Sequence, residues 1–129
     1  MKKMTALLLA ALMVLSMAAC ASKPAEESDL AYIQDKGTLV VGITDFAPMD
    51  YQNESGEWVG FDADLAKAFA DSLGVKVEFV EIVWDNKVLE LDSKTIDCVW
   101  NGMTLTSEVT SAMACSNAYC NNAQVVVTK

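Results

Sequence analysis

Gly60-Phe61-Asp62-Ala63-Asp64-Leu65-Ala66-Lys67-Ala68-Phe69-Ala70-Asp71-Ser72-Leu73-Gly74-Val75-Lys76-Val77-Glu78-Phe79 passes from helix to strand without a loop of its own. Asp62 is placed to cap the first free backbone N–H groups, and Asp64 favours the positive start of a helix. Leu65, Phe69 and Leu73 recur every four residues on one face, with Ala66 and Ala70 beside them. Gly74 supplies a left-handed stop. Beyond it Val75, Val77 and Phe79 alternate with Lys76 and Glu78, the period of a strand.

Upstream, Gly37-Thr38 opens Leu39-Val40-Val41-Gly42-Ile43, which is short, apolar and rich in β-branched residues, hence a buried strand. Downstream, the pattern predicts a weak helix over 86–94, a third strand over 96–100, a helix starting near Thr106–Glu108 and a fourth strand over 124–128. Strands separated by helical crossovers make an α/β fold with a mostly parallel sheet and helices on its faces.

Such sheets bind ligands outside the C-terminal ends of their strands. Two loops lie there: Thr44-Asp45-Phe46-Ala47-Pro48-Met49-Asp50-Tyr51 and Asn101-Gly102-Met103-Thr104-Leu105-Thr106-Ser107-Glu108. The hydroxyls, amide and free helix-start N–H groups of the second suit a polar, anionic ligand group. Each loop also has a purely structural reading. Phe46 and Pro48 close a sheet edge, and Thr104 or Thr106 caps a helix.

Composition narrows the chemistry. The 129 residues hold 9 Lys, 18 Asp or Glu, no Arg and no His, for a formal charge of −9. That balance excludes an electrostatic grip on nucleic acid. The lack of His excludes Ser-His-Asp and Cys-His nucleophiles and His-bearing zinc sites. No cofactor and no metal site are expected.

The N-terminus reads as an address. Lys2 and Lys3 precede an apolar run over 6–15 that is too short for a membrane span, which needs about 20 residues, and fits an export signal. Met17-Ala18-Ala19-Cys20 resembles a lipobox, where a bacterial signal peptidase cuts before a Cys that then carries lipid. Met17 departs from the usual branched aliphatic, and plain cleavage near Ala19 or Ala21 is the alternative. We therefore expect a signal peptide over 1–19, a lipid-anchored Cys20 with a flexible tether over 20–35, and a binding domain over 36–129. Losing Lys2 and Lys3 takes the charge from −9 to −11, which keeps an exported protein soluble. Among Cys98, Cys115 and Cys120, the first sits in an apolar run and reads as a small buried hydrophobe. For the other two, a disulfide and two buried thiols stand as equal alternatives, and the spacings lack a zinc-type pair.

The segments Leu39-Val40-Val41-Gly42, Phe46-Ala47-Pro48 and Val59-Gly60-Phe61-Asp62-Ala63-Asp64-Leu65-Ala66 carry a resemblance that continues through Trp84-Asp85, Ile96-Asp97, Trp100-Asn101-Gly102-Met103-Thr104-Leu105-Thr106 and Ser116-Asn117-Ala118-Tyr119. In this order and spacing the chain resembles the extracytoplasmic solute-binding proteins of polar amino-acid ABC transporters, solute-binding family 3. The resemblance runs over about residues 36–128. It implies one lobe of a type II periplasmic-binding clamshell, which closes on an amino acid or amine and delivers it to an ABC permease. It also implies a lipid anchor on the outer face of the bacterial cytoplasmic membrane, or a periplasmic location. By the same resemblance Phe46 packs on the ligand, Trp84 belongs to the ligand site, and Asn101, Gly102 and Thr104 supply donors. Asp45 lies near the family's polar residue in a first loop that is one residue shorter here.

Two departures bear on function. The family places an Arg on the ligand's α-carboxylate just past the Thr-x-x-Glu segment; here that position is Val109, with no Lys adjacent. A lost charge-assisted pair costs a few kcal/mol, about 1.5–3 per hydrogen bond, and Lys does not replace Arg like for like. The acidic and aromatic residues Asp45, Asp50, Tyr51, Trp84, Trp100 and Glu108 would suit a cationic or amine ligand, or serve only as core aromatics and solvated carboxylates. The second departure is length: family members are about twice as long, so the sequence reads as an N-terminal portion whose second lobe is missing, with half a cleft that binds amino acids weakly or not at all. Two rival functions remain. A dehydratase-like enzyme on the same fold needs a placed acid or base, for which Asp45 and Glu108 are the only hints. An extracytoplasmic sensory module needs a downstream membrane span.

Overall fold

The computed structural model of the protein describes residues 28–123 and 125–129. The expected signal peptide, Cys20 and most of the tether lie outside the described residues. Helix α1 spans Asp29–Lys36 and takes up the end of the stretch over 20–35 expected as a flexible tether. Asp29 in its first turn and Lys36 in its last complement the helix dipole, which explains why a polar segment with no buried residue is helical.

Strand β1 (Thr38–Ile43) is the centre of the fold, with Leu39, Val41 and Ile43 at most 2% exposed. A two-stranded antiparallel ribbon follows, β2 (Tyr51–Gln52) and β3 (Trp58–Val59), then helix α2 (Phe61–Leu73) and strand β4 (Lys76–Glu81). A 3-10 turn (Trp84–Asn86) runs into α3 (Lys87–Asp92); β5 (Cys98–Val99) and α4 (Ser107–Ala112) complete the elements. The main sheet has the order β4-β1-β5 and is parallel throughout. β1 and β4 pair from Thr38↔Lys76 to Ile43↔Glu81. β5 pairs through Val41↔Cys98 and Gly42↔Val99. This is the wound α/β arrangement that the alternation of patterns implied.

Three expectations are corrected. The buried stripe of α2 is Ala63, Ala66 and Ala70, of which Ala66 and Ala70 pack with Leu39, Val41 and Val75, while Leu65 and Phe69 stay 36% and 44% exposed. Alanine lets the helix lie close against the sheet, so the bulkier residues are pushed to the flank, where Phe69 meets the Trp100 ring at 5.7 Å. Asp62 does not cap α2. The N-cap is Gly60 with no side-chain bond, and Asp62 is fully buried with its Oδ2 accepting from the Gly102 N–H at 2.8 Å. The expected fourth strand is not formed over the described residues 125–128. Val125, Val126 and Val127 are 78%, 90% and 90% exposed and have no neighbouring strand to complete a ladder. Gly74 does end α2 in the left-handed conformation, at φ 74°.

Candidate functional site

The C-terminal ends of all three parallel strands open into one cavity of about 410 Å³. Thr44 and Phe46 come from the loop after β1, Trp84 from the turn after β4, Lys87 from the start of α3, and Asn101 to Thr104 from the loop after β5. Thr106 and Val109 at the start of α4 complete the lining. The size is that of a small-molecule site.

Local chemistry holds these loops in place. Asn101, 7% exposed, donates through Nδ2 to the Thr44 hydroxyl and to the Thr44 carbonyl, tying the loop after β5 to the loop after β1. Gly102 allows a close approach: a Cβ there would lie 3.0 Å from Cε1 of Phe46, which would have to give way by a few tenths of an ångström. Its N–H is held by Asp62, so the start of α2 fixes the same loop. Asn122 Nδ2 donates to Thr104 Oγ1 at 2.9 Å and to the Gly102 carbonyl at 3.3 Å. Thr106 is the N-cap of α4, its Oγ1 accepting from the Val109 N–H at 3.3 Å. The Lys87 ammonium sits 4.8 Å from the centre of the Trp84 ring and donates to the Trp84 carbonyl at 3.2 Å.

Beside the cavity loop lies a pair of buried carboxyls. Burial first, and the Asp62 charge second, push Asp50 up to about 7, while the Ala63 N–H pulls the other way. Burial, then Asp62, also raises the Tyr119 hydroxyl, whose ring stacks on Phe61 at 6.3 Å. Burial, then Asp97, pushes the Cys98 thiol up to about 12. Cys98, Cys115 and Cys120 are all free thiols; Cys98 is half-buried and Cys115 and Cys120 are exposed, so neither the disulfide nor the pair of buried thiols is realised. Among the described residues no cluster of His, Cys, Asp or Glu could hold a metal, and no helix is long and apolar enough to cross a membrane.

Of the six residues singled out from the sequence, the structure brings Phe46, Trp84, Asn101, Gly102 and Thr104 together on this lining. Asp45 is exposed and does not line it. The acidic inventory is not gathered there either: Asp50 is buried under the loop, Glu108 is exposed, and the lining contains no carboxylate. Val109, where the resemblance places an Arg, does line the cavity, and so does Lys87, which no sequence reading identified. No Lys is adjacent to Val109 in the chain, yet one shares its cavity.

The description of the bacterial extracellular solute-binding proteins, family 3, matches residues 39–129. The chain belongs to that family. Among curated relatives, this family-3 protein is 36% identical over 102 residues to a cyclohexadienyl dehydratase of Pseudomonas aeruginosa, covering 78% of this chain and 38% of that one. It is 33% identical over 130 residues to the arginine-binding extracellular protein ArtP of Bacillus subtilis, covering 100% of this chain and 49% of the relative. The chain thus spans less than half the length of these relatives. Among solved structures, an ancestral cationic amino acid solute-binding protein matches with 45% identity and a TM-score of 0.63, over 65% of this chain and 37% of the other. The arginine-bound domain 1 of TmArgBP, as its Phe57Trp mutant, matches with 41% identity and a TM-score of 0.61, over 64% of each chain. The family-3 protein therefore carries part of an α/β lobe of the type II periplasmic-binding fold.

Proposed function

We infer that the protein is the substrate-binding component, or one lobe of it, of an ABC importer for amino acids or related small polar solutes. The observation that carries this reading is the cavity where Phe46 and Trp84 face Thr44, Thr104 and Thr106 across the ends of three parallel strands. Two aromatic faces with a few fixed hydroxyls suit a small solute with an apolar stem and polar groups. Family membership and the amino-acid-binding relatives support the same reading. In this reading the leader exports the chain, Cys20 carries the lipid anchor, and the loaded protein docks on a membrane permease. The arginine-bound domain 1 of a structural relative supports binding by a single lobe, against the expectation that half a cleft binds amino acids weakly or not at all.

The dehydratase relative and a solved ancestral cyclohexadienyl dehydratase, 42% identical with a TM-score of 0.61, are the observations favouring an enzyme. The lining has no carboxylate and no His, and Lys87 is its one titratable side chain; we read the protein as a binder. The test is calorimetry on the full chain in mild detergent with the common amino acids, and with a prephenate-like substrate. We expect saturable binding of at least one amino acid and no turnover. No binding to any of them overturns the importer reading, and turnover replaces it with the enzyme.

A further inference from the structure

Lys87 is the single charged side chain on the cavity lining, and every hydroxyl beside it is already engaged in one direction. Thr44 Oγ1 accepts from Asn101 Nδ2, Thr104 Oγ1 accepts from Asn122 Nδ2, and Thr106 Oγ1 accepts from the Val109 N–H. A hydroxyl has one proton and two lone pairs. With an acceptor site used, each of the three keeps its proton to give. Two nitrogens of the lining are committed elsewhere, the Gly102 N–H to Asp62 and the Asn101 amide nitrogen to Thr44. Lys87 spends one of its three donors on the Trp84 carbonyl and keeps two. The Trp84 ring below its ammonium holds the side chain at the cavity rather than free in solvent. The cavity therefore offers a positive charge and several proton donors, with no carboxylate to oppose an anion.

We propose that Lys87 is the anion-recognising residue of this cavity, binding a carboxylate of the solute, with the Thr104 and Thr106 hydroxyls donating to the same group. This rests on the binding reading above and specifies which end of the solute faces the turn after β4. It also accounts for an apolar Val109: the charge that would face the solute from α4 is supplied instead from the start of α3. Lys presents a point charge rather than a planar fork, so the site recognises the anion's charge with little demand on its orientation.

The test compares L-arginine with the amine left when its carboxylate is removed, on the full chain and on Lys87→Met and Lys87→Arg, with circular dichroism melts as the folding control. We expect the wild-type chain to prefer the amino acid by about tenfold or more, the range of a charge-assisted contact. Lys87→Met lowers affinity for the amino acid and abolishes that preference, and Lys87→Arg retains most of it. If wild type binds L-arginine and Lys87→Met binds it within about twofold, the assignment of Lys87 is overturned while the binding reading stands. If wild type binds neither this pair nor any common amino acid, the binding reading fails and this assignment falls with it. Equal wild-type affinity for the amino acid and its amine also overturns the proposal.

Discussion

The buried carboxylate of Asp62 accepts the Gly102 N–H at 2.8 Å, so the first turn of α2 and the loop after β5, 40 residues apart, are held by one charge-assisted bond. The bond couples the stability of the helix start to the shape of the cavity. Asp62→Ala leaves a buried N–H without its partner, at a cost of about 1–3 kcal/mol. We expect a lower midpoint in urea and weaker solute binding together; a stability loss with unchanged affinity would show that the loop holds its shape without Asp62.

Asp50 gives the fold a pH dependence. Its folded value of about 7 lies above the 3.8 of an unperturbed side chain. Between those limits the folded protein keeps a proton that the unfolded chain has released, so stability falls as pH rises from about 4 to about 7 and then levels. At about 1.4 kcal/mol per pH unit, the loss reaches a few kcal/mol. Asp50→Asn should flatten this part of the curve and stabilise the protein at pH 8. Thermal melts of the two proteins from pH 4 to 8 check it, and parallel curves would refute the assignment.

Gly60 has φ 114°, and a Cβ there would lie 2.4 Å from the Met49 carbonyl oxygen. Gly60→Ala therefore adds backbone strain of roughly 1–3 kcal/mol to a clash with rigid main chain. Equilibrium unfolding should show a loss at the upper end of that range or an unfolded product.

Asp97, whose side chain is 5% exposed, accepts from the Val40 N–H and from Lys36 Nζ, each at 2.7 Å. It completes the hydrogen bonding of β1 just before β5 begins. Asp97→Ala should cost about 1.5–3 kcal/mol, and Lys36→Ala much less, because the strand N–H keeps its acceptor. Denaturation midpoints of the two variants separate the contributions.

Thr106→Ala removes the N-cap of α4, worth about 1 kcal/mol. As Thr106 and Val109 both line the cavity, we expect a small stability change and a larger drop in solute affinity, read by calorimetry.

The parts of this architecture set by local patterns were legible in the sequence. The alternation around Val77 and Phe79, the Gly74 stop and the Thr106 cap each depend on neighbours a few residues away. Asp62 was misread because its partner is Gly102, far along the chain, and an Asp at a helix start looks like a cap whatever it bonds. The face of α2 was misread because periodicity marks Leu65 and Phe69 as readily as Ala66 and Ala70. Only the closeness of the sheet selects the small residues. Lys87 was invisible because a Lys opening a helix carries no motif; its place depends on how the turn after β4 meets the other two strand ends. Val125–Val127 had strand composition but no strand to pair with.

That valine run has a colloidal side. Three adjacent β-branched residues, 78%, 90% and 90% exposed, have the composition of a strip that zips onto its counterpart in another molecule.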